Sequence, residues 1–568
     1  MKKMNHKLMA LSLKLMALSL VILMAAGACK DLDELNINPN APSPESTDLN
    51  LLLPTVITGL GTQVVNLGFG DVAGVVQHTQ KTGWSSSHNN YDWSSPGQGW
   101  SDYYGVLRNA DELYKKAQKG GYVYHEGVAM ILKAYTFGLI ADLWGDAPYS
   151  EALRAEEGAA YFKPAFDSQQ TIYHGILADL ETANSLLSQE GEKPLNATQD
   201  VLFEGDLTKW RKFANSLALR YYMRLQAKET DFAKSGILKI VNDPGTFPLI
   251  TTADDDANVG YPGTANTTIP SGGIPASWPT NTVYNISPDG EYMRRKPCST
   301  LVNVLKDLND PRIAVWFDKV ELPLVLVGGT DVSHISADGK TWEVSADVVK
   351  TYEDTYNTPI DYSTDYIGIP PAIGGALFYN LQLEGNAAGQ GRYNSHISQL
   401  NTMYEDATGD LLQMRLSSAA EVNFILAEAA SYGWIGGAST YYANGVHESL
   451  NAWGVGDEFD TYIAGVPYNG LESIIQQKWI ASWSAATEAW FDWRRTGLPK
   501  LEAGPSGARS KLPIRFYYSL DDDINTNTEH ANEAISKLVP TSYKGSDPTN
   551  NSAWSKTWLL DGTGLPYN

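Results

Sequence analysis

Four stretches in the first half of the chain, joined by short connectors, repeat apolar residues at helical spacing. They are SDYYGVLRNADELYKKAQ (101–118), HEGVAMILKAYTFGLIADLWG (125–145), SQQTIYHGILADLETANSLLS (168–188) and LTKWRKFANSLALRYYMRLQAK (207–228). Apolar residues at i, i+3, i+4 and i+7 gather on one helix face that must be covered. Consecutive helices of this kind cover each other as stacked antiparallel pairs, the arrangement of tetratricopeptide-like arrays. No 34-residue repeat recurs cleanly, so the predicted array is degenerate.

The pattern returns at RLSSAAEVNFILAEAASYGW (415–434), YYANGVHESLNAWG (441–454) and LESIIQQKWIASWSAATEAWFDWRRTGLP (471–499). Ser418 and Glu421 have capping-box spacing at the first of these. Ala427, Ala429, Ala430 and Ser431 supply small side chains for close helix packing. Gly497 and Pro499 end the last stretch. Between about 240 and 400 the texture changes to Gly, Pro, Thr and Asn, as in DPGTFPLITTADDDANVGYPGTANTTIPSGGIPASWPTNTVYN. That composition predicts long ordered loops, which in a compact protein usually carry function. KTWEVSADVVKTYED (340–354) reads as strand or short helix, and 500–568 as mostly irregular.

The N-terminus constrains location. Lys2, Lys3, Lys7 and Lys14 precede an apolar stretch ending in Ala25, Ala26, Gly27 and Ala28, the layout of a secretory signal. Cys29 follows immediately, where a bacterial lipoprotein places the thiol that is acylated. Residues 1–28 are expected to be removed, and 29–48, with Pro39, Pro42 and Pro44, to form an extended tether. Only two cysteines are present, so an acylated Cys29 leaves Cys298 without an intramolecular partner and excludes a disulfide framework. Stability must come from the core.

Removing residues 1–28 deletes four lysines and no acids, taking the formal net charge from −23 to −27. So acidic a chain argues against nucleic-acid binding and against docking on anionic lipid. The chain has 16 Trp and 31 Tyr against 14 Phe, residues that pair an apolar face with a polar edge. No motif specifies a reaction. His125-Glu126 and His447-Glu448 lack the second histidine of a zinc-protease helix, and Gly339-Lys340-Thr341 lacks the first glycine of a phosphate loop. Gly68 to Ala73 fits a loose GxGxxA without a strand before it. Asp254-Asp255-Asp256 could offer oxygen ligands to calcium, although a solvated acidic loop is the plainer expectation.

Several of these blocks together resemble one family. KWRKFANSLALRYYMRL, AEVNFILAEAASYGWIGG, IIQQKWIASWSAATEAWFDWRRTG and LPIRFYYSLDD are similar, in order, to the SusD/RagB family of Bacteroidetes outer-membrane lipoproteins. The resemblance implies a mainly α fold: one domain over 49–568, with a tetratricopeptide-like helical scaffold at about 49–235 and 411–499. It further implies a loop-rich, mixed ligand-side region at about 240–405 and an irregular part at 500–568. It implies no catalysis and no cofactor. It implies a partner, a SusC-like TonB-dependent transporter, and a captured glycan or peptide. Lys30-Asp31-Leu32-Asp33-Glu34 looks like the acidic signal that routes such lipoproteins to the cell exterior.

In glycan-binding relatives, loop aromatics make a shallow platform beside polar side chains. Two stretches fit by position and composition. WSSSHNNYDWSSPGQGW offers Trp84, Asn89, Asn90, Tyr91 and Trp93, and ASWPTNTVYN offers Trp278, Asn281 and Tyr284. Trp faces suit sugar C–H surfaces, and Asn amides both donate to and accept from hydroxyls. Trp100 is expected to pack on the helix it precedes. For Trp84, Trp93 and Trp278 the ligand and core readings both stay open. Trp479, Trp483, Trp490 and Trp493 are expected to form a buried stripe, with Arg494 and Arg495 complementing their helix dipole. Three functions remain: an oligosaccharide-binding lipoprotein, a peptide-binding one, and a surface glycoside hydrolase using a carboxylate pair.

Overall fold

The computed structural model describes residues 48–83, 85–93, 98–265, 276–287, 290–382 and 393–567. The predicted signal segment, Cys29 and the tether to residue 47 lie outside them, as does Trp84. Six long helices occupy the first half: α1 (Leu49–Gly68), α2 (Ser101–Gly120), α3 (Val123–Trp144), α4 (Gln169–Leu187), α5 (Leu207–Arg224) and α6 (Thr230–Asn242). Each packs on the next in sequence, apart from α1, which packs on both α2 and α3. Helix α3 is apolar around its whole circumference and is buried almost end to end between α2 and α4. It meets α5 at Gly138, where an added Cβ would lie 2.2 Å from the Tyr221 hydroxyl.

The loop-rich part contributes α7 (Ser299–Asp307) and several small sheets. The segment 340–354 is both predicted things in succession, a strand at Trp342–Ser345 and a helix at Ala346–Tyr356. The scaffold resumes with α8 (Ala419–Ser431), α9 (Ala438–Asn451), α10 (Gly470–Ala481) and α11 (Ala486–Thr496). The Ser418 hydroxyl accepts from the Glu421 amide at 3.2 Å, so half of the capping box forms. The Glu421 side chain does not reach back, because Arg220 holds it in a two-pronged pair at 2.6 and 2.7 Å. The stretch 471–499 is two helices, broken at Ser484, whose φ is 65°. The break lets Trp483 pack against Phe69, Trp316 and Phe317 while Trp490 faces Trp93 and Phe516. Part of the C-terminal stretch read as irregular is helical, at Thr528–Lys537. One continuous apolar core includes residues from Leu49 to Tyr567, with the expected Trp479, Trp483, Trp490 and Trp493 inside it.

Buried charges join the two helical parts. Arg220 and Arg224 of α5 reach Glu421 of α8 and Glu488 of α11, and Arg224 also lies 3.3 Å from Asp142 of α3. Lys478 of α10 pairs with Asp492 at 2.8 Å. Arg494 and Arg495 lie in the last turn of α11, where the sequence put them beside the helix dipole, and both are buried against carboxylates. Arg494 sits 3.2 Å from Asp142, and Arg495 holds Glu428 and, at 2.7 Å, Asp492. Burial opposes the charge on Asp492, yet Lys478, Arg495 and Arg224 outweigh it and hold the carboxyl far below the usual range. Removing one member of such a set strands its partners. Glu488→Gln should therefore lower stability by about 3 kcal/mol, read as a lower urea midpoint. Because Asp492 is acidified on folding, wild-type stability should also fall as pH drops below the ordinary carboxylate pKa of about 4.

Candidate functional site

A two-stranded ladder pairs the segments that lead into the two predicted ligand stretches. Strand β1 (Thr79–Lys81) pairs antiparallel with β2 (Arg295–Pro297), matching Thr79 to Pro297, Gln80 to Lys296 and Lys81 to Arg295. The Thr82 amide continues it by donating to the Arg294 carbonyl at 2.9 Å. The chain that follows residue 82 holds the first stretch, and the chain that precedes residue 294 holds the second. Phe69 lies beneath the ladder and the second stretch. Its ring packs on Trp278 at 5.3 Å and lies 4.5 Å below the Arg295 guanidinium.

Most of the predicted ligand residues build this loop region and do not face solvent. Asn89 is buried, and its amide clamps the backbone of Lys81: the side-chain oxygen accepts from the Lys81 N–H at 2.8 Å and the NH2 donates to its carbonyl at 2.7 Å. Tyr91 is fully buried with φ of 58°. Asn90 is half-buried, and its carbonyl accepts from Ala508. Trp93 is 1% exposed, set edge-on against Trp490 and Phe516, with its indole N–H on the Ser87 carbonyl. Trp278 is likewise 1% exposed, ringed by Phe69, Tyr261 and Tyr404. Neither ring has a face open to a ligand, so the core reading holds for both in this structure. Trp100 packs on Tyr104 and Trp144 as expected.

Tyr284 is different. Asn281 is itself buried, and spends its amide on the loop: NH2 donates to the Trp278 carbonyl at 2.6 Å and the oxygen accepts from the Tyr284 N–H at 2.9 Å. Trp278 donates its own indole N–H to Thr280. This turn holds Tyr284 at the surface, 49% exposed, with its hydroxyl anchored on the Gly263 carbonyl at 3.1 Å. Val283 and Ile286 beside it are 53% and 82% exposed. Composition alone missed these two, although apolar residues inside an otherwise polar loop were the available signal.

The ladder's charges are internally settled. Glu291 lies 3.1 Å from Lys81 and 2.9 Å from Arg295 and also pairs with Arg294. Burial works against its ionisation, but these three cations hold the carboxyl far below its usual range. His88 is fully buried, with Thr79 at 3.0 Å; burial lowers its imidazole to about 4, so it is neutral at pH 7. The acidic triplet is also occupied. The Asp254 carbonyl accepts from Lys209, Asp255 pairs with Lys212 at 2.7 Å, and Asp256 accepts from the Ala419 amide. Among the described residues no group of three or more His, Cys, Asp or Glu side chains is placed to hold a metal ion.

The loop region and scaffold correspond to a known family. A family model described as starch-binding and associating with the outer membrane, SusD-like, matches residues 39–363 and 379–519. The chain belongs to the SusD-like family. No curated protein matches the sequence closely enough to serve as a named relative. Solved structures share the fold. A nutrient-binding candidate from the outer membrane of Bacteroides vulgatus is 24% identical, with a TM-score of 0.66 over 90% of this chain and 100% of that one. A SusD homologue from Bacteroides fragilis is 20% identical, with a TM-score of 0.64 over 90% and 99%. A chitin-binding SusD homologue from Flavobacterium johnsoniae is 20% identical, with a TM-score of 0.63 over 90% and 99%. The helical SusD-like scaffold expected of the sequence is present, and proteins of this family are binding proteins.

Support and presentation in this loop region should separate on mutation. Trp278→Ala empties a core site and should cost about 3–5 kcal/mol, whereas Tyr284→Ala should leave the melting temperature within a degree or so, since exposed positions change stability by about 0.5 kcal/mol or less. Lys296 supplies a pH test. It is fully buried on β2 without a carboxylate partner among the described residues, its ammonium donating to Gln399, and burial lowers it to about 7. The unfolded lysine titrates at about 10.4, so between those values the unfolded chain holds a proton that the folded one lacks. Stability should then rise with pH from about 7 to about 10, and Lys296→Met should flatten that rise and raise the melting temperature at pH 7.

Proposed function

We propose that this protein is a non-enzymatic, cell-surface lipoprotein, anchored in the outer membrane through Cys29, that captures an oligosaccharide and passes it to a SusC-like TonB-dependent transporter. The observation that carries the reading is the family match along most of the chain, together with a loop edge that holds one anchored tyrosine at the surface. The ring of Tyr284 offers an apolar face to sugar C–H groups, and Val283 and Ile286 widen the patch. Asn90 and Trp84 belong to the adjoining stretch and are proposed to complete the platform. Asn89, Tyr91, Trp93, Trp278 and Asn281 act from behind, by fixing the two loops. Two structural neighbours are chitin-binding proteins, which makes N-acetylglucosamine oligomers the first ligands to try, followed by starch oligomers.

Calorimetry on protein beginning after Cys29 should detect binding of one such oligomer with no release of reducing ends. Tyr284→Ala should weaken it about ten-fold, the value of a stacking contact of roughly 1–1.5 kcal/mol. Appearance of reducing ends would replace the binding reading with a hydrolase. Full affinity in Tyr284→Ala would move the site elsewhere. Purification from native membranes should recover a TonB-dependent transporter with the protein.

A further inference from the structure

The charges that join the helices surround a cavity which the proposed function does not use. Helices α1, α3, α5, α8, α9, α10 and α11 all reach its wall, as does the strand Gln413–Ser417. Its volume is about 50 Å³, and roughly 10–15 Å³ suffices for one water molecule. It therefore has room for a few waters or for one small ion. Val64 and Leu139 give the wall apolar surface, and Arg220, Arg415, Lys478, Glu421 and Glu488 give it charge.

All but one of these charges are matched. Arg220 holds Glu421 at 2.6 and 2.7 Å and lies 3.7 Å from Glu488. Glu488 also takes Arg224 at 2.5 Å, and Lys478 lies 2.8 Å from Asp492. Arg415 has no ion pair among the described residues. Its guanidinium stands 4.3 Å over the Trp453 ring and donates one N–H to the Leu411 carbonyl at 3.2 Å. Its Nε is buried and has no hydrogen-bond partner. Asp256 is the carboxylate whose field reaches Arg415, but it lies beyond ion-pair distance and accepts from the Ala419 amide at 2.7 Å. Burial pushes the Asp256 carboxyl up to about 7, so it offsets only part of the arginine's charge at neutral pH.

Thr487 adds a second donor to the same wall. It is 3% exposed, and its hydroxyl has no hydrogen-bond partner. It is the second residue of α11, which begins without a side-chain cap, so the positive end of that helix lies at the cavity. Helix α10 ends at the same wall, but its closing carbonyls, those of Lys478 and Ile480, accept from the Ser482 and Trp483 amides. Buried polar groups are rarely left unpaired, and a charge out of water is costly unless a partner answers it. Two unanswered donors, one of them a cation, therefore face a space whose carboxylates are engaged elsewhere. The partner they lack is an acceptor with negative charge.

We infer that the cavity binds one halide ion, chloride under ordinary conditions, on the Arg415 Nε–H and the Thr487 hydroxyl. A single excess positive charge calls for a monovalent anion, and the small volume calls for a monatomic one. The ion neutralises the one cation left over where the scaffold helices meet. It also ties the strand Gln413–Ser417 to the start of α11 through contacts that neither element makes directly. The cavity lies among the scaffold helices and includes no residue of the Tyr284 loop, so this inference stands or falls independently of the oligosaccharide reading.

The test uses the chain beginning after Cys29. Crystals grown in sodium bromide and measured at the bromine absorption edge should show an anomalous peak in the cavity. In solution at fixed ionic strength, the melting temperature should rise as chloride replaces gluconate. The expected rise is about 1 °C for each ten-fold increase in chloride above its Kd. Thr487→Val keeps the shape of the side chain without its hydroxyl, and Arg415→Met removes the charge. Both should flatten the chloride response and remove the bromide peak. If Arg415→Met does not fold, the bromide map and Thr487→Val decide the matter by themselves. Water density in the cavity with no anomalous peak, or bromide bound only elsewhere, would overturn the inference. So would a chloride response unchanged in every variant that folds.

Discussion

Arginine and carboxylate side chains packed between helices that are far apart in sequence hold the two halves of the scaffold in one arrangement. Asp142, Arg220 and Arg224 come from the first half, and Glu421, Glu428, Lys478, Glu488, Asp492, Arg494 and Arg495 from the second. The signs balance, five against five. Pairs of this kind return little net energy over apolar packing, because desolvation consumes most of the attraction. Their effect is selective. A helix slid by one turn would bury a charge without its partner, at a cost of several kcal/mol. The network thus penalises wrong packings of five helices more strongly than it rewards the right one, and the loops that depend on those helices inherit their positions.

The tryptophans do a comparable task for the loops. Indole N–H groups donate from the core to carbonyls or hydroxyls of irregular segments: Trp144 to Tyr517, Trp490 to Pro513, Trp554 to Lys511, Trp479 to Val76, Trp483 to Tyr404 and Trp93 to Ser87. Each side chain buries a large ring and satisfies a backbone or side-chain acceptor that a loop would otherwise leave unpaired. Cys298 is buried and unpaired with any other cysteine among the described residues. A chain of this length with long loops and no disulfide framework needs another way to pin them, and indoles anchored at one end in the core provide it.

That role explains which parts of the molecule were legible in the sequence. Helices such as 123–144 and 207–224 follow from apolar spacing, and Trp479, Trp483, Trp490 and Trp493 are buried as their spacing implied. The same spacing could not reveal the break at Ser484, since both sides of the break stay apolar and only a tertiary demand, the opposed facing of Trp483 and Trp490, imposes it. Arg494 and Arg495 were read from position on one helix, and their partners on α3 and α8 are invisible to local reasoning. The platform prediction rested on composition. In a protein where Trp pins loops from within, Trp in a loop marks attachment as readily as ligand contact. Trp93 and Trp278 are attachments, and Tyr284, one turn from Trp278, is what the attachment presents.

The consequence for binding is a division of labour within short stretches of chain. Asn281 and Trp278 lie within six residues of Tyr284, yet their side-chain polar atoms are committed to the turn that holds it. A ring fixed in this way loses little rotamer freedom when a ligand stacks on it, and that saving raises affinity without any added contact. It also places the freedom to vary ligand on the outward residues alone. Val283, Tyr284 and Ile286 can change without disturbing the core, whereas a change at Trp278 or Asn281 alters the loop itself. The scaffold can therefore keep one architecture while the outer residues of its loops set what is bound.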